Sequence, residues 1–176
     1  GVPTALPSLG RSSTPHAINP SGVIAGVSTT NEYPRDHAAV WRDGKIVDLG
    51  TLGGNSWARA INSRGDVVGG SEAAPLWSPR HAVLWRGTTL IDLSTPASFQ
   101  SDAWGINDRG QVVGWANWPP FEVLPTPHPV LWQNGVMVDL GSLGGTFGEA
   151  RGIDARGRVV GYSITKDGAA HAFLWE

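Results

Sequence analysis

The chain has no cysteine, which excludes disulfides, thiolate metal sites and cysteine nucleophiles while leaving the compartment open, because an exported protein need not carry disulfides. It also lacks an excess of charge. Thirteen basic side chains face 15 acidic ones with no basic run or stripe, so the electrostatic footprint of a nucleic-acid binder is missing and that partner is excluded. No apolar run approaches the roughly 18 residues needed to span a membrane. Gly1 is not followed by a charged start and an apolar h-region, so a signal peptide, if one existed, is expected to be gone already. Motifs of established chemistry are absent too: there is no Gly-x-Ser-x-Gly elbow, no His-Glu-x-x-His and no phosphate loop. Good helix formers are scarce beside 24 glycines, 13 prolines and nine tryptophans, a composition that favours short strands and many turns. At 176 residues and 40% hydrophobic content the chain suits one domain, residues 1–176.

What is present is a repeat. Val47 to Trp85 holds Val47-Asp48-Leu49-Gly50-Thr51-Leu52-Gly53-Gly54, then Ala60-Ile61-Asn62-Ser63-Arg64-Gly65, then His81-Ala82-Val83-Leu84-Trp85, and each piece recurs. The isoleucine appears as Ile18, Ile61, Ile106 and Ile153 and the closing tryptophan as Trp41, Trp85, Trp132 and Trp175, in steps of 43 to 47 residues, within the range of solenoids and propellers. Each copy offers four short apolar or alternating runs, read as four strands and no helix. Asp43-Gly44 and Asn134-Gly135 are two-residue hairpin signals. The Asn-x-x-Gly element joins the first two strands by a glycine-dependent turn, with the Asn or Asp side chain bonding the turn backbone.

The last copy stops one strand short, after His171-Ala172-Phe173-Leu174-Trp175-Glu176, while residues 4 to 9 resemble a spare final strand. The expectation is an all-β, four-bladed β-propeller with blades near 15–50, 57–93, 102–140 and 149–176 plus 4–9. Ala5 to Leu9 would pair beside His171 to Trp175 and so close the ring.

The pieces Leu52-Gly53-Gly54-Asn55-Ser56, Ala60-Ile61-Asn62, Val67-Val68-Gly69 and above all His171-Ala172-Phe173-Leu174-Trp175 resemble the HAF repeat, along essentially the whole chain. Proteins carrying it are mostly described as probable extracellular repeat proteins. The resemblance therefore implies a repeat fold and an extracellular or periplasmic location, and no activity. Departures include Ala39, Val83 and Val130 in place of the Phe, Pro129 in place of the Ala, and Leu93-Ser94-Thr95-Pro96 in place of Leu-Gly-x-Leu-Gly-Gly.

Residues that break a repeat are better functional candidates than those that keep it. Two positions before the isoleucine stand His16, Arg59, Trp104 and Arg151; after the second strand's glycine stand Val27, Gly70, Trp115 and Tyr162. With Trp57, Trp77, Asp102, Trp118, Phe121, Phe147 and Glu149 these form an expected axial mouth with aromatic walls, two guanidinium groups and two carboxylates, suited to a small molecule or glycan. The competing reading is packing between blades, with the arginines paired to Asp102 and Glu149. An alternative function is a cofactor-independent enzyme, a lyase, isomerase, cyclase or glycan-active hydrolase using His16 with Arg59 or Arg151. A third is a structural repeat with no ligand. No organic cofactor is called for. Because His37, His81, His128 and His171 repeat with the fold, bonding inside each blade is preferred to a metal site. The repeated tryptophans are expected to pack, each ring nitrogen finding a backbone partner.

Overall fold

The computed structural model describes residues 1–32, 35–74, 78–87, 89–95, 100–118 and 126–176, the Trp118 side chain excepted. Among the described residues, fifteen strands form four antiparallel sheets. The first holds β1 (Ser13–Ile18), β2 (Ile24–Thr29), β3 (Asp36–Arg42) and β4 (Lys45–Asp48), and the second β5 (Ser56–Ile61), β6 (Val67–Glu72), β7 (Arg80–Arg86) and β8 (Thr89–Asp92). The third holds β9 (Ser101–Ile106), β10 (Val112–Trp118), β11 (Thr126–Gln133) and β12 (Val136–Asp139). The fourth has three strands, β13 (Gly144–Ile153), β14 (Val159–Thr165) and β15 (Ala170–Trp175). In every sheet neighbours in sequence are neighbours in space.

The turns follow from residue type. Asp43 and Asn134 take φ of 52°, followed by Gly44 at 72° and Gly135 at 77°, the pair of positive values that a type I′ hairpin requires. In the Asn-x-x-Gly turn, Asn62 Oδ1 accepts the N–H groups of Arg64 (3.1 Å) and Asp66 (2.9 Å). Its Nδ2 meanwhile reaches the next sheet at Asn107 O, 3.2 Å away. The amide thus fixes a turn and a junction at once, which explains Asn better than turn chemistry alone.

The sheets stack face to face in a row, and a core lies at each junction. Ala25 and Ala38 of the first sheet meet Ala58, Val67, Val83 and Trp85 of the second. Val68, Ala82 and Leu84 of the second meet Ala103, Val112, Val130 and Trp132 of the third, and Val113 and Leu131 of the third meet Ala150 and Val159 of the fourth. Middle strands such as β6 are covered on both faces, so Val67 to Ser71 are all apolar or small rather than alternating. Fully burying one such valine contributes about 1.5–3 kcal/mol. Outside the cores, His37, His81 and His128 each meet an aspartate of their own fourth strand, Asp48, Asp92 and Asp139, through Nδ1 at 2.7, 2.8 and 3.2 Å. That is a role inside each of the first three sheets.

Two expectations need correction. Ala5 to Leu9 forms no strand and, among the described residues, does not pair with β15. Instead the Leu9 N–H donates to Ser28 Oγ (2.9 Å) and Pro7 O accepts from Trp41 Nε1 (2.7 Å), so the segment lies on the first sheet. The reason is in the connector: Leu6 to Gly10 matches Leu49 to Gly53, and Leu52 likewise donates to a serine of the sheet that follows it, Ser71 (2.9 Å). The row is left open, with Ile18 67% exposed at one end and Leu174 57% at the other. Second, among the described residues Trp41 alone of the four repeated tryptophans has the expected backbone partner. Trp85 Nε1 and Trp132 Nε1 are buried without one among the described residues.

Candidate functional site

The site begins with a backbone irregularity. In each sheet the pairing of the innermost strand with its neighbour skips one residue: Pro15 faces Gly26 and Ala17 faces Ala25, so His16 has no partner. The residues skipped in the other sheets are Arg59, Trp104 and Arg151. A β-bulge leaves its extra residue off the ladder and re-aims the side chain, and here all four extra residues are the repeat-breaking positions of the sequence. The bulge presses the strands together, which is why the facing position is glycine. A Cβ at Gly69 would run into Trp57 O, and one at Gly114 into Asp102 O.

The bulge residues of sheets two to four converge. The Arg59 guanidinium carbon lies 4.2 Å from the Trp104 ring centroid, and that of Arg151 lies 4.1 Å from it. Such cation–π contacts are worth about 0.5–2 kcal/mol each, more as they lose water. Asp102, fully buried, accepts from Arg80 Nη1 (3.0 Å) and Arg59 Nη2 (3.4 Å). Burial pushes its carboxyl above the ordinary value, and the charges of Arg59 and Arg80 only partly offset this. Arg151 Nη2 stands 2.6 Å from Glu149 Oε2 and its guanidinium 5.7 Å from the Tyr162 ring, which in turn lies 5.9 Å from Phe147. Arg80 lies over Trp57 at 5.0 Å.

The structure thus assembles Trp57, Arg59, Asp102, Trp104, Phe147, Glu149, Arg151 and Tyr162, and does so largely by pairing the arginines with Asp102 and Glu149, the geometry the packing reading required. Several polar atoms remain unsatisfied. Arg59 Nε, Arg80 Nε, Trp104 Nε1 and Asp102 Oδ1 are buried without a hydrogen-bond partner among the described residues. Arg80 escaped the sequence reading because it opens a third strand, where the aligned residues Asp36 and Pro127 carry no common signal.

Other expected members stand apart. His16 is exposed, and its Nδ1 lies 2.7 Å from Ala58 O, a main-chain carbonyl rather than a carboxylate. Trp115 is half-buried with its backbone opposite Asp102, and no ring contact joins it to the stack among the described residues. Trp118 ends β10, and its side chain, like Phe121 and Trp77, lies outside the described residues. A cavity of about 840 Å³ between the second and third sheets is lined by Arg64, Asp66, Arg86, Arg109 and Trp132 and by none of the cluster.

No family model matches the chain, and no curated protein sequence does. Solved structures match at the level of fold. The chain is similar to the β-propeller domain of the Trilobed protease from Pyrococcus furiosus, described as having an open velcro topology, with a TM-score of 0.63 and 15% identity over 88% of this chain and 47% of that one. TolB from Acinetobacter baumannii gives 0.62 and 14% over 93% and 40%, and the Pyrococcus horikoshii acylaminoacyl peptidase 0.60 and 16% over 94% and 26%. The fold is that of a β-propeller. The chain spans less than half the length of each of these proteins.

Proposed function

We propose that this chain is a binding module of propeller type, its four sheets acting as blades, which holds an acceptor-rich small molecule or glycan against the inner strands of blades two to four. The observation that carries this reading is the set of buried donors without partners, Arg59 Nε, Arg80 Nε and Trp104 Nε1. An unpaired buried donor costs about 1–3 kcal/mol, and a ligand oxygen removes that cost. Three guanidinium groups (Arg59, Arg80, Arg151) against two carboxylates (Asp102, Glu149) leave one positive charge in excess, which favours an acidic ligand. Action outside the cytoplasm is part of the proposal and is supported by the HAF-like repeat.

The enzymatic alternative has less support. His16, its only histidine candidate, bonds a main-chain carbonyl and meets no carboxylate among the described residues. The test is a thermal-shift comparison of oligogalacturonides with neutral oligosaccharides of equal length. The acidic series is expected to raise Tm in the wild type and to lose most of that effect in Arg151→Ala. Equal shifts with both series, or none with either, would overturn the proposal.

A further inference from the structure

The cavity between the second and third sheets has a counterpart at the junction before it, because the repeat builds both. Val40, Arg42, Val47, Leu49, Gly65 and Trp85 line about 210 Å³ between the first and second sheets. Their repeat equivalents, Leu84, Arg86, Ile91, Leu93, Gly110 and Trp132, line about 840 Å³ between the second and third. Of the two, the larger alone falls within the roughly 300–1,000 Å³ of small-molecule sites. Leu84 stands for Val40 and Ile91 for Val47, so smaller side chains do not account for the added room. The connector differs: Leu52 packs into the first core, whereas the next copy reads Leu93-Ser94-Thr95-Pro96, with Ser94 and Thr95 on the cavity wall.

Three guanidiniums meet at the mouth. The Asn-x-x-Gly turns of sheets two and three deliver Arg64 and Arg109, and the end of β7 delivers Arg86. A Cβ on Gly110 would lie 3.2 Å from Arg64 Nη2 and 3.8 Å from Arg86 Nη2, so both groups hang over the turn that carries Arg109. Asp66 answers two of them, accepting from Arg64 Nη2 (2.7 Å) and Arg86 Nε (3.3 Å). Arg109 is exposed; its Nη1 donates to Arg156 O (3.2 Å), and among the described residues it pairs with no carboxylate. The second carboxylate of the lining, Asp92, is held by His81 Nδ1 and the Ser94 N–H, each at 2.8 Å. Three arginines against two aspartates leave one positive charge. Much of the remaining wall is apolar, formed by Leu84, Ile91, Leu93, Val112, Met137 and Trp132. Trp132 is 4% exposed and its Nε1 has no partner among the described residues, as is also true of Trp85, whereas Trp41 spends the same N–H on Pro7 O.

We infer that this cavity is a binding site separate from the stack of Arg59, Trp104 and Arg151, and that it takes an amphiphilic carboxylic acid. The carboxylate meets Arg109 and Arg86, and an alkyl or aryl body lies against Leu84, Ile91, Met137 and Trp132. Each part of the site selects one part of the ligand. A neutral amphiphile leaves the charge of Arg109 unanswered, and a small inorganic anion leaves the apolar wall in water.

Octanoate and 1-octanol share one chain length, so calorimetric titration of each into the 176-residue chain separates charge from apolar fit. Octanoate is expected to bind at least about tenfold tighter, the factor that one charge-assisted hydrogen bond supplies. Arg109→Ala should remove that preference, while Arg42→Ala, at the smaller cavity, should leave it. Met137→Trp fills the space and should abolish binding of both probes. In the unaltered chain the Trp132 indole N–H resonance, identified by its loss in Trp132→Phe, should shift as octanoate is added. Equal affinity for the two probes, or a preference that survives Arg109→Ala, overturns the inference. So does a Trp132 resonance that stays in place at saturating octanoate, or the absence of octanoate binding at about 1 mM. None of these readouts involves the glycan, so the inference fails or holds independently of the reading given for the Trp104 stack.

Discussion

Removing the Asp102 carboxylate is the perturbation that separates charge from packing at the site. Asp102→Ala strands Arg59 and Arg80 without their shared counter-ion. Breaking a fully buried pair from one side costs about 3–5 kcal/mol. These arginines keep 25% and 39% of their side-chain surface exposed, so the stranded charges stay partly hydrated and the expected cost falls to about 2–3 kcal/mol. Asp102→Asn behaves differently, because it keeps the shape and an acceptor for Arg80 while removing the charge that burial penalises; it should lie within about 1 kcal/mol of wild type. The pH dependence has a definite sign. Since folding raises this acid's pKa, ionisation is disfavoured in the native state, so the wild type has no disadvantage against the Asn variant below the ordinary value of 3.8 and loses ground as pH rises through the raised one. Urea denaturation followed by tryptophan fluorescence across that window measures both quantities. If Asn costs as much as Ala at neutral pH, or if the wild type gains on the Asn variant as pH rises, burial is refuted as the dominant influence on Asp102.

Three further outcomes are expected. Trp104→Ala removes the platform under Arg59 and Arg151 and should cost about 1–3 kcal/mol in chemical denaturation, together with the ligand-induced Tm shift; intact ligand binding would show that the stack plays no part in recognition. Asn62→Ala deletes four hydrogen bonds, two closing a turn, one to Asp66 and one crossing to the next blade, and should cost about 2–4 kcal/mol against well under 1 for Ser63→Ala, measured in the same way. Arg158 lowers the Asp154 carboxyl to about 2, so its contribution is present above 3.8 and is lost as pH falls toward 2; Asp154→Ala should flatten the acid limb of a stability–pH curve in that interval.

Much of this molecule is written in local chemistry. Period and turn residues determine the strands, because Asn-x-x-Gly and Asp-Gly favour particular backbone angles wherever they occur, and the repeat ensures that each sheet is made from consecutive strands. The repeat-breaking residues His16, Arg59, Trp104 and Arg151 were legible as a set for the same reason. That all four sit on a bulge was not, since a bulge depends on how two strands meet and leaves only the facing glycine as a trace. Nor could spacing place Arg80 beside Asp102, or turn His16 away from the carboxylates toward Ala58 O, because side-chain partners across blades are chosen by three-dimensional proximity. Closure is the largest difference. The repeat showed that residues 4 to 9 resemble the close of a blade, while the tertiary structure decided that they lie on the first sheet, where Leu9 donates to Ser28 and Trp41 donates to Pro7.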